Sequence, residues 1–280
     1  MFRLFMLLLS FGLIACSPAE RPVKEDTVAS GSDVSSEEVP EPTGYTEYLW
    51  CSNGENYSQE AADARNAMWV EEVNSLGMTN LGSAEITPSG WSSDNFDRVS
   101  ILFWENKSAR DAGWEAYLAS GIEEKLNETY PGVEICGGED WKNVYPNNSY
   151  RLREATITDS FMVGYQFCNF NEDKGPEDLR AFVGGPWSDF LQRYDSENPA
   201  VNFGTSVNVP DFDDESVEVH EGVPDTFDYI WVNLWSDEAG RNSGWSAVEE
   251  YGQEMMSAAN SVSACSEEQA WSGSIVKTRS

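Results

Sequence analysis

The chain has 280 residues, of which 49 are acidic and 17 basic, giving a formal net charge of -32. Its 11 Trp, 11 Tyr and 13 Phe supply core material for one large domain or two of ordinary size. A surface this negative repels phosphate backbones and anionic lipid, which argues against nucleic acid as a partner. The excess is not confined to a tail, because residues 45–280 alone carry 42 acidic and 14 basic side chains. These charges are scattered, as on a solvated face suited to a salty medium, with an acidic binding surface as the alternative.

The first segment, Met1–Cys16, has a positive Arg3 and an apolar run, Leu4–Ile14, too short to span a bilayer comfortably. It ends in Leu13-Ile14-Ala15-Cys16, which resembles the lipobox of bacterial lipoproteins. The resemblance covers these sixteen residues only. It implies a signal peptide over 1–15, export, and attachment to a membrane through lipid on Cys16. Ser17, rather than Asp, follows the cysteine, which in diderm bacteria implies the outer membrane as the location. An ordinary cleaved signal with an incidental cysteine is the alternative. Residues 16–44 are rich in Ser, Glu, Pro and Val and contain no aromatic residue, so they are expected to form a disordered acidic tether.

The rest of the chain is organised around a stretch that occurs twice. Phe96–Trp114 and Phe227–Trp245 share Phe96/Phe227, Asp97/Asp228, Trp104/Trp235, Arg110/Arg241, Gly113/Gly244 and Trp114/Trp245 at a constant offset of 131. This predicts a tandem duplication, with units over 45–150 and 155–280. In the first unit a strand is expected at Tyr45–Cys51, a helix at Ser58–Leu76 stopped by Gly77, and strands at Met78–Ile86 and Arg98–Trp104. A helix follows over Ser108–Tyr130, and a last strand within Val133–Tyr145. The second unit repeats the order. It has a strand at Phe161–Cys168, a helix from Glu177 to Tyr194 bent at Gly184-Gly185-Pro186, and strands at Val201–Val209 and Phe227–Trp235. A helix over Arg241–Asn260 and a strand within Gln269–Lys277 complete it. Pro210–Asp225 reads as an acidic loop insertion.

Each unit is thus β-α-β-β-α-β, the ferredoxin-like split unit, and the class is α+β. Two tandem units facing one another resemble the dimeric α+β barrel superfamily, which includes antibiotic-biosynthesis-type monooxygenases and EthD-like and NIPSNAP-like proteins. The resemblance rests on element order and duplication over 45–280. It implies a pseudo-dimeric barrel within one chain.

Cys51 and Cys168 end the first strand of each unit, and Cys136 and Cys265 lie just before the last. In a split unit the last strand runs antiparallel beside the first. Bridges Cys51–Cys136 and Cys168–Cys265 are therefore expected, one per unit. The short paired spacings of a zinc or redox site are absent.

No Walker, dinucleotide or nucleophile-elbow motif is present. The one histidine, His220, sits in the acidic loop, which leaves little room for His-based nucleophilic catalysis or haem ligation, and no cofactor is expected. The run Asp211–Glu215 lacks the Gly and Glu that an EF-hand needs at the following positions, so a solvated loop is expected, with loose calcium binding as the alternative. In the repeated strand Val99, Ile101 and Phe103 alternate with Ser100, Leu102 and Trp104, as Ile230, Val232 and Leu234 alternate with Trp231, Asn233 and Trp235. The aliphatic set is expected to meet the helices. A pocket lined by Glu47, Trp104, Gln166, Trp231, Asn233 and Trp235 is then expected in the barrel lumen, with Glu47 as a candidate catalytic base. A lumen simply filled by these side chains is the alternative. The repeated Arg110/Arg241 and Trp114/Trp245 are expected to make surface and packing contacts. Three functions follow: a non-catalytic envelope protein binding a small apolar or aromatic ligand or a protein partner; a cofactor-independent monooxygenase-like enzyme using Glu47, Gln166 and Asn233; or a structural surface protein.

Overall fold

The computed structural model describes residues 40–136, 144–157, 159–212 and 223–279. Cys16 and its lipobox, the tether up to residue 39, His220 and residues 213–215 of the acidic run lie outside the described residues. The first half contains β1 (Gly44–Asn53), α1 (Gln59–Ser75), β2 (Gly82–Pro88), β3 (Arg98–Trp104), α2 (Lys107–Ser120), α3 (Ile122–Thr129), β4 (Glu134–Cys136) and β5 (Val144–Arg153). The second contains β6 (Ser160–Phe170), α4 (Pro176–Phe182), α5 (Ser188–Glu197), β7 (Phe203–Pro210), β8 (Tyr229–Trp235), α6 (Glu238–Tyr251), α7 (Gln253–Val262), β9 (Ser263–Cys265) and β10 (Gln269–Lys277).

Local chemistry explains the boundaries. The Ser58 hydroxyl accepts from Ala61 N and caps α1, while Gly77, at φ 78°, takes the left-handed conformation that ends it. Asn106 and Asp237 cap α2 and α6 in the same way. The helix expected over Ser108–Tyr130 is two helices, because Gly121 turns left-handed at φ 73° between α2 and α3. The helix expected over Arg241–Asn260 likewise breaks at Gly252. Between α4 and α5, Val183–Trp187 form a π-helical turn around Pro186. The wider turn accommodates a residue that has no N–H to donate.

Eight strands close into an antiparallel barrel in the order β10-β2-β3-β1-β5-β7-β8-β6, with β6 pairing back onto β10. The halves join along two seams, β5 against β7 (Asn148 opposite Val209) and β10 against β2 (Gly273 opposite Ile86). Closure leaves no free edge in the barrel. Short β4 and β9 attach to β1 and β6, and place Cys136 opposite Cys51 and Cys265 opposite Cys168. Both expected disulfides form, Cys51–Cys136 and Cys168–Cys265, closing loops of 85 and 97 residues.

The faces of the strands are the reverse of those expected. Val99, Ile101, Ile230 and Val232 meet Tyr48, Trp50, Tyr165 and Phe167 in one cluster drawn from both halves, which is the barrel interior. Leu102 and Trp104 pack instead against Trp69 and Trp114 of the first-half helices, and Trp231 and Trp235 against Phe182, Phe190 and Met255 of the second-half helices. The repeated Asp97 and Asp228 tie strand ends together: each carboxylate accepts a backbone N–H, from Asn53 at 2.6 Å and from Phe170 at 2.7 Å.

Candidate functional site

The repeated Arg and Trp of the helices, expected to be surface and packing residues, instead hold a buried carboxylate in each half. Arg110, Gly113 and Trp114 share the sheet-facing side of α2, at i, i+3 and i+4. Glu47 is fully buried and receives N–H bonds from Trp104 Nε1 (2.8 Å), Trp114 Nε1 (2.8 Å) and Arg110 Nε (2.7 Å), with Arg110 Nη2 also at 2.7 Å. Four N–H groups use the acceptor capacity of one carboxylate. Burial pulls the Arg110 pKa down, but the charge and hydrogen bonds of Glu47 outweigh this and raise it.

In the second half the carboxylate comes from elsewhere. Glu47 stands opposite Leu102 in the register of β1 and β3, and the matching position in β6, opposite Asn233, is Gly164. Glu268, just before β10, fills the space: a Cβ on Gly164 would lie 2.4 Å from its carboxyl group. Arg241 Nε donates to Glu268 at 2.7 Å and Trp245 Nε1 at 3.1 Å. The Arg–Trp pair is thus kept while its acid partner changes strand.

Gly113 lets the Trp104 ring lie against α2, since a Cβ there would sit 2.4 Å from Trp104 Cζ3, whereas at Gly244 the nearest atom, Trp235 Nε1, is 3.2 Å away. Gly→Ala in a helix gains about 1 kcal/mol, and overpacking costs about 1–3 kcal/mol. Gly113→Ala is therefore expected to destabilise the protein by about 1–2 kcal/mol and Gly244→Ala to be neutral or stabilising, as measured by urea unfolding. Equal effects would contradict this difference in ring placement.

These contacts relocate the expected pocket. Glu47 is fully buried on the helix side of β1 and does not line the lumen chamber, so it does not meet a substrate there as a base; Trp104 packs on the helix side too, although it also borders the chamber. Gln166, Trp231, Asn233 and Trp235 line a cavity of about 220 Å³ between the second-half sheet and its helices, not the lumen. Asn233 Oδ1 is occupied by Thr205 Oγ1 (2.9 Å) and Trp231 Nε1 (3.0 Å). The corresponding space in the first half is about 90 Å³. There Arg98 and Arg65 both bind Glu134, where the second half has Tyr229 bonded to Ser263.

The lumen itself divides in two. One end is packed with aromatic rings, including Trp50 against Phe96 at 4.6 Å and Trp91 against Trp271 at 4.9 Å between centroids. The other holds a chamber of about 410 Å³, open at the mouth and lined from both halves. Its walls include Ile101, Phe103, Val163 and Leu234; Tyr48, Tyr165 and Asn208 are among its polar groups, and charged side chains line its mouth. Asn208 Nδ2 donates to the Tyr48 hydroxyl at 2.6 Å, and the Tyr48 and Tyr165 rings meet edge to face with centroids 5.6 Å apart. Asn208 Oδ1 is buried and has no protein partner among the described residues. Burial pushes both phenol pKa values well above the ordinary range, so both hydroxyls stay protonated at neutral pH. Tyr48 and Tyr165 were not singled out by the sequence reasoning. Asn208, 160 residues from Tyr48 in the chain, gives no sign of this contact in the sequence.

No family model matches the sequence, and no curated protein matches it. Among solved structures of similar shape is a protein described as a candidate monooxygenase from Lactobacillus acidophilus, at 10% identity and TM-score 0.47, covering 84% of this chain and 95% of that one. Another is a chlorite dismutase variant from Candidatus Nitrospira defluvii, at 8% identity and TM-score 0.48, covering 85% and 94%. A third is an anthrone oxidase-like protein, at 12% identity and TM-score 0.40, covering 83% and 91%. The expectation of a non-catalytic binding protein is corrected at this point. The similar structures carry enzyme names, and the enzymatic alternative is the one carried forward. At this identity and score the likeness is one of shape alone.

Proposed function

We propose that this protein is an enzyme that oxidises a small electron-rich aromatic compound inside the barrel, without a bound redox cofactor, and that its two halves are tandem ferredoxin-like units. The observation that carries this reading is the chamber of about 410 Å³ with two phenols in edge-to-face contact at its inner end, one of them bonded to Asn208. Apolar walls with a few convergent polar groups suit an aromatic ring that bears an oxygen. Tyr48 Oη accepts from Asn208 Nδ2 at 2.6 Å, and its own proton is left to donate to a substrate oxygen as charge develops there. Asn208 Oδ1 accepts a proton-bearing group of the substrate. The substrate supplies the electrons: two C–H bonds of an activated methylene break, their four electrons reduce dioxygen, one oxygen becomes the new carbonyl and the other leaves as water. The Leu13-Ile14-Ala15-Cys16 motif supports anchorage of this enzyme to a membrane through Cys16.

Oxygen uptake with a panel of phenols and anthrone-type methylenes tests the reading. Uptake is expected with at least one compound. Tyr48→Phe should lower kcat about 100-fold, the scale for removing one donor to a developing oxyanion, with little change in KM. Unchanged kcat in Tyr48→Phe would remove the phenol from the chemistry.

A further inference from the structure

The mouth of the chamber is basic in a chain whose net charge is -32. Arg151, Arg153, Lys277 and Arg279 all line it. Two of the four are neutralised locally, Arg151 by Glu154 at 3.0 Å and Arg153 by Asp195 at 2.8 Å. For Lys277 and Arg279 no carboxylate lies within ion-pair distance among the described residues. Lys277 is only 6% exposed, and its Nζ donates to the carbonyls of Leu81 (2.7 Å) and Thr79 (3.3 Å), which leaves one of three protons. Arg279 donates through Nη2 to Trp104 O at 2.8 Å and keeps its other N–H groups. Burial lowers the pKa of both, and Arg151 lowers that of Arg279 further, against a smaller opposing pull from Glu105. A cation taken out of water without a counter-ion is costly to fold, and an anion arriving with the ligand relieves that cost. A neutral ligand can accept hydrogen bonds from these groups but leaves both charges uncompensated.

We infer that the chamber takes an aromatic acid, with its anionic group held at the mouth by Lys277 and Arg279 and its ring directed inward to Tyr48 and Asn208. The inference rests on the chamber being the substrate site, and names the substrate class for it. The two cations also offset the field of the acidic surface, which would otherwise repel such a ligand. The anionic group is within their reach only at the rim, so the ring and not the charge meets the phenols.

Isothermal titration of the full-length protein with 1-naphthoate and with neutral 1-naphthamide tests it. Naphthoate is expected to bind at least tenfold more tightly than naphthamide, with the difference shrinking as salt rises. Arg279→Gln and Lys277→Met should each weaken naphthoate about tenfold and leave naphthamide unchanged. Because Lys277 is buried, Arg279→Gln alone keeps the test valid should the lysine variant fold poorly. Leu234→Trp, which fills the partly buried edge of the chamber, should abolish binding of both. Equal affinities of the two compounds, both lost in Leu234→Trp, would overturn the acid preference and leave the chamber standing. Binding of neither, or binding that Leu234→Trp does not alter, would overturn the chamber and the preference together.

Discussion

Replacing Glu47 by alanine is expected to lower the unfolding free energy by about 3–5 kcal/mol, the usual cost of removing one member of a buried ion pair. The carboxylate is fully buried, and its loss strands the N–H groups of Trp104, Trp114 and Arg110. For a domain of this size the melting temperature should fall by roughly 10 °C. The double variant Glu47→Leu with Arg110→Met should recover much of this, because an apolar pair of similar volume avoids the stranded charge. Thermal and urea unfolding of Glu47→Leu, Arg110→Met and the double variant give the coupling energy. A coupling below about 1 kcal/mol would show that the clamp contributes little beyond packing. The second half offers an independent check. Gly164→Glu alone should be severely destabilising, since its Cβ meets Glu268 at 2.4 Å, whereas Gly164→Glu with Glu268→Ala should restore stability by returning the acid to the strand that carries it in the first half.

Loss of the disulfides is the other large effect. With closed loops of 85 and 97 residues, each bridge contributes about 4–5 kcal/mol in the chain-entropy model, against a total of about 5–15 kcal/mol for an ordinary domain. Each bridge also fastens a three-residue strand, β4 or β9, that has only one neighbour to pair with. Cys51→Ala with Cys136→Ala, or the corresponding pair in the second half, should lower the melting temperature by about 10 °C. Reduction of both bridges should leave no cooperative transition above room temperature. Circular dichroism melts with and without reductant measure this. A shift of less than about 3 °C on full reduction would show that the bridges are incidental to stability.

Much of the fold was legible in the sequence for a physical reason. Each of the six identities in the repeated stretch does something structural. Phe96 and Phe227 sit in the aromatic end of the lumen, and Asp97 and Asp228 hold strand ends. Trp104 and Trp235 rest on Gly113 and Gly244, while Arg110, Trp114, Arg241 and Trp245 surround carboxylates. Cysteine positions at strand ends then sufficed to pair the bridges. The faces of the strands were not legible. Both sides of a barrel strand covered by helices are buried, so alternation has no wet side to anchor it. Val99 and Ile101 suit either side, and the tryptophans went to the helices because the buried acids that pair with Trp104, Trp114 and Trp245 lie there. The role of Arg110 and Arg241 was hidden for a related reason. Their acid partners, Glu47 and Glu268, occupy different places in the two halves, so no repeated acid marks the site. The lumen phenols Tyr48 and Tyr165 were masked by their own aromatic bodies, which look like core in a sequence pattern.

A crystal structure of the protein soaked with 1-naphthoate is the most direct measurement of where this molecule does its work. The ring is expected in the lumen in van der Waals contact with Tyr48 or Asn208, and the carboxylate at Lys277 and Arg279. Naphthoate found instead between the second-half sheet and its helices, against Trp187 and Trp231, would contradict a substrate site in the lumen.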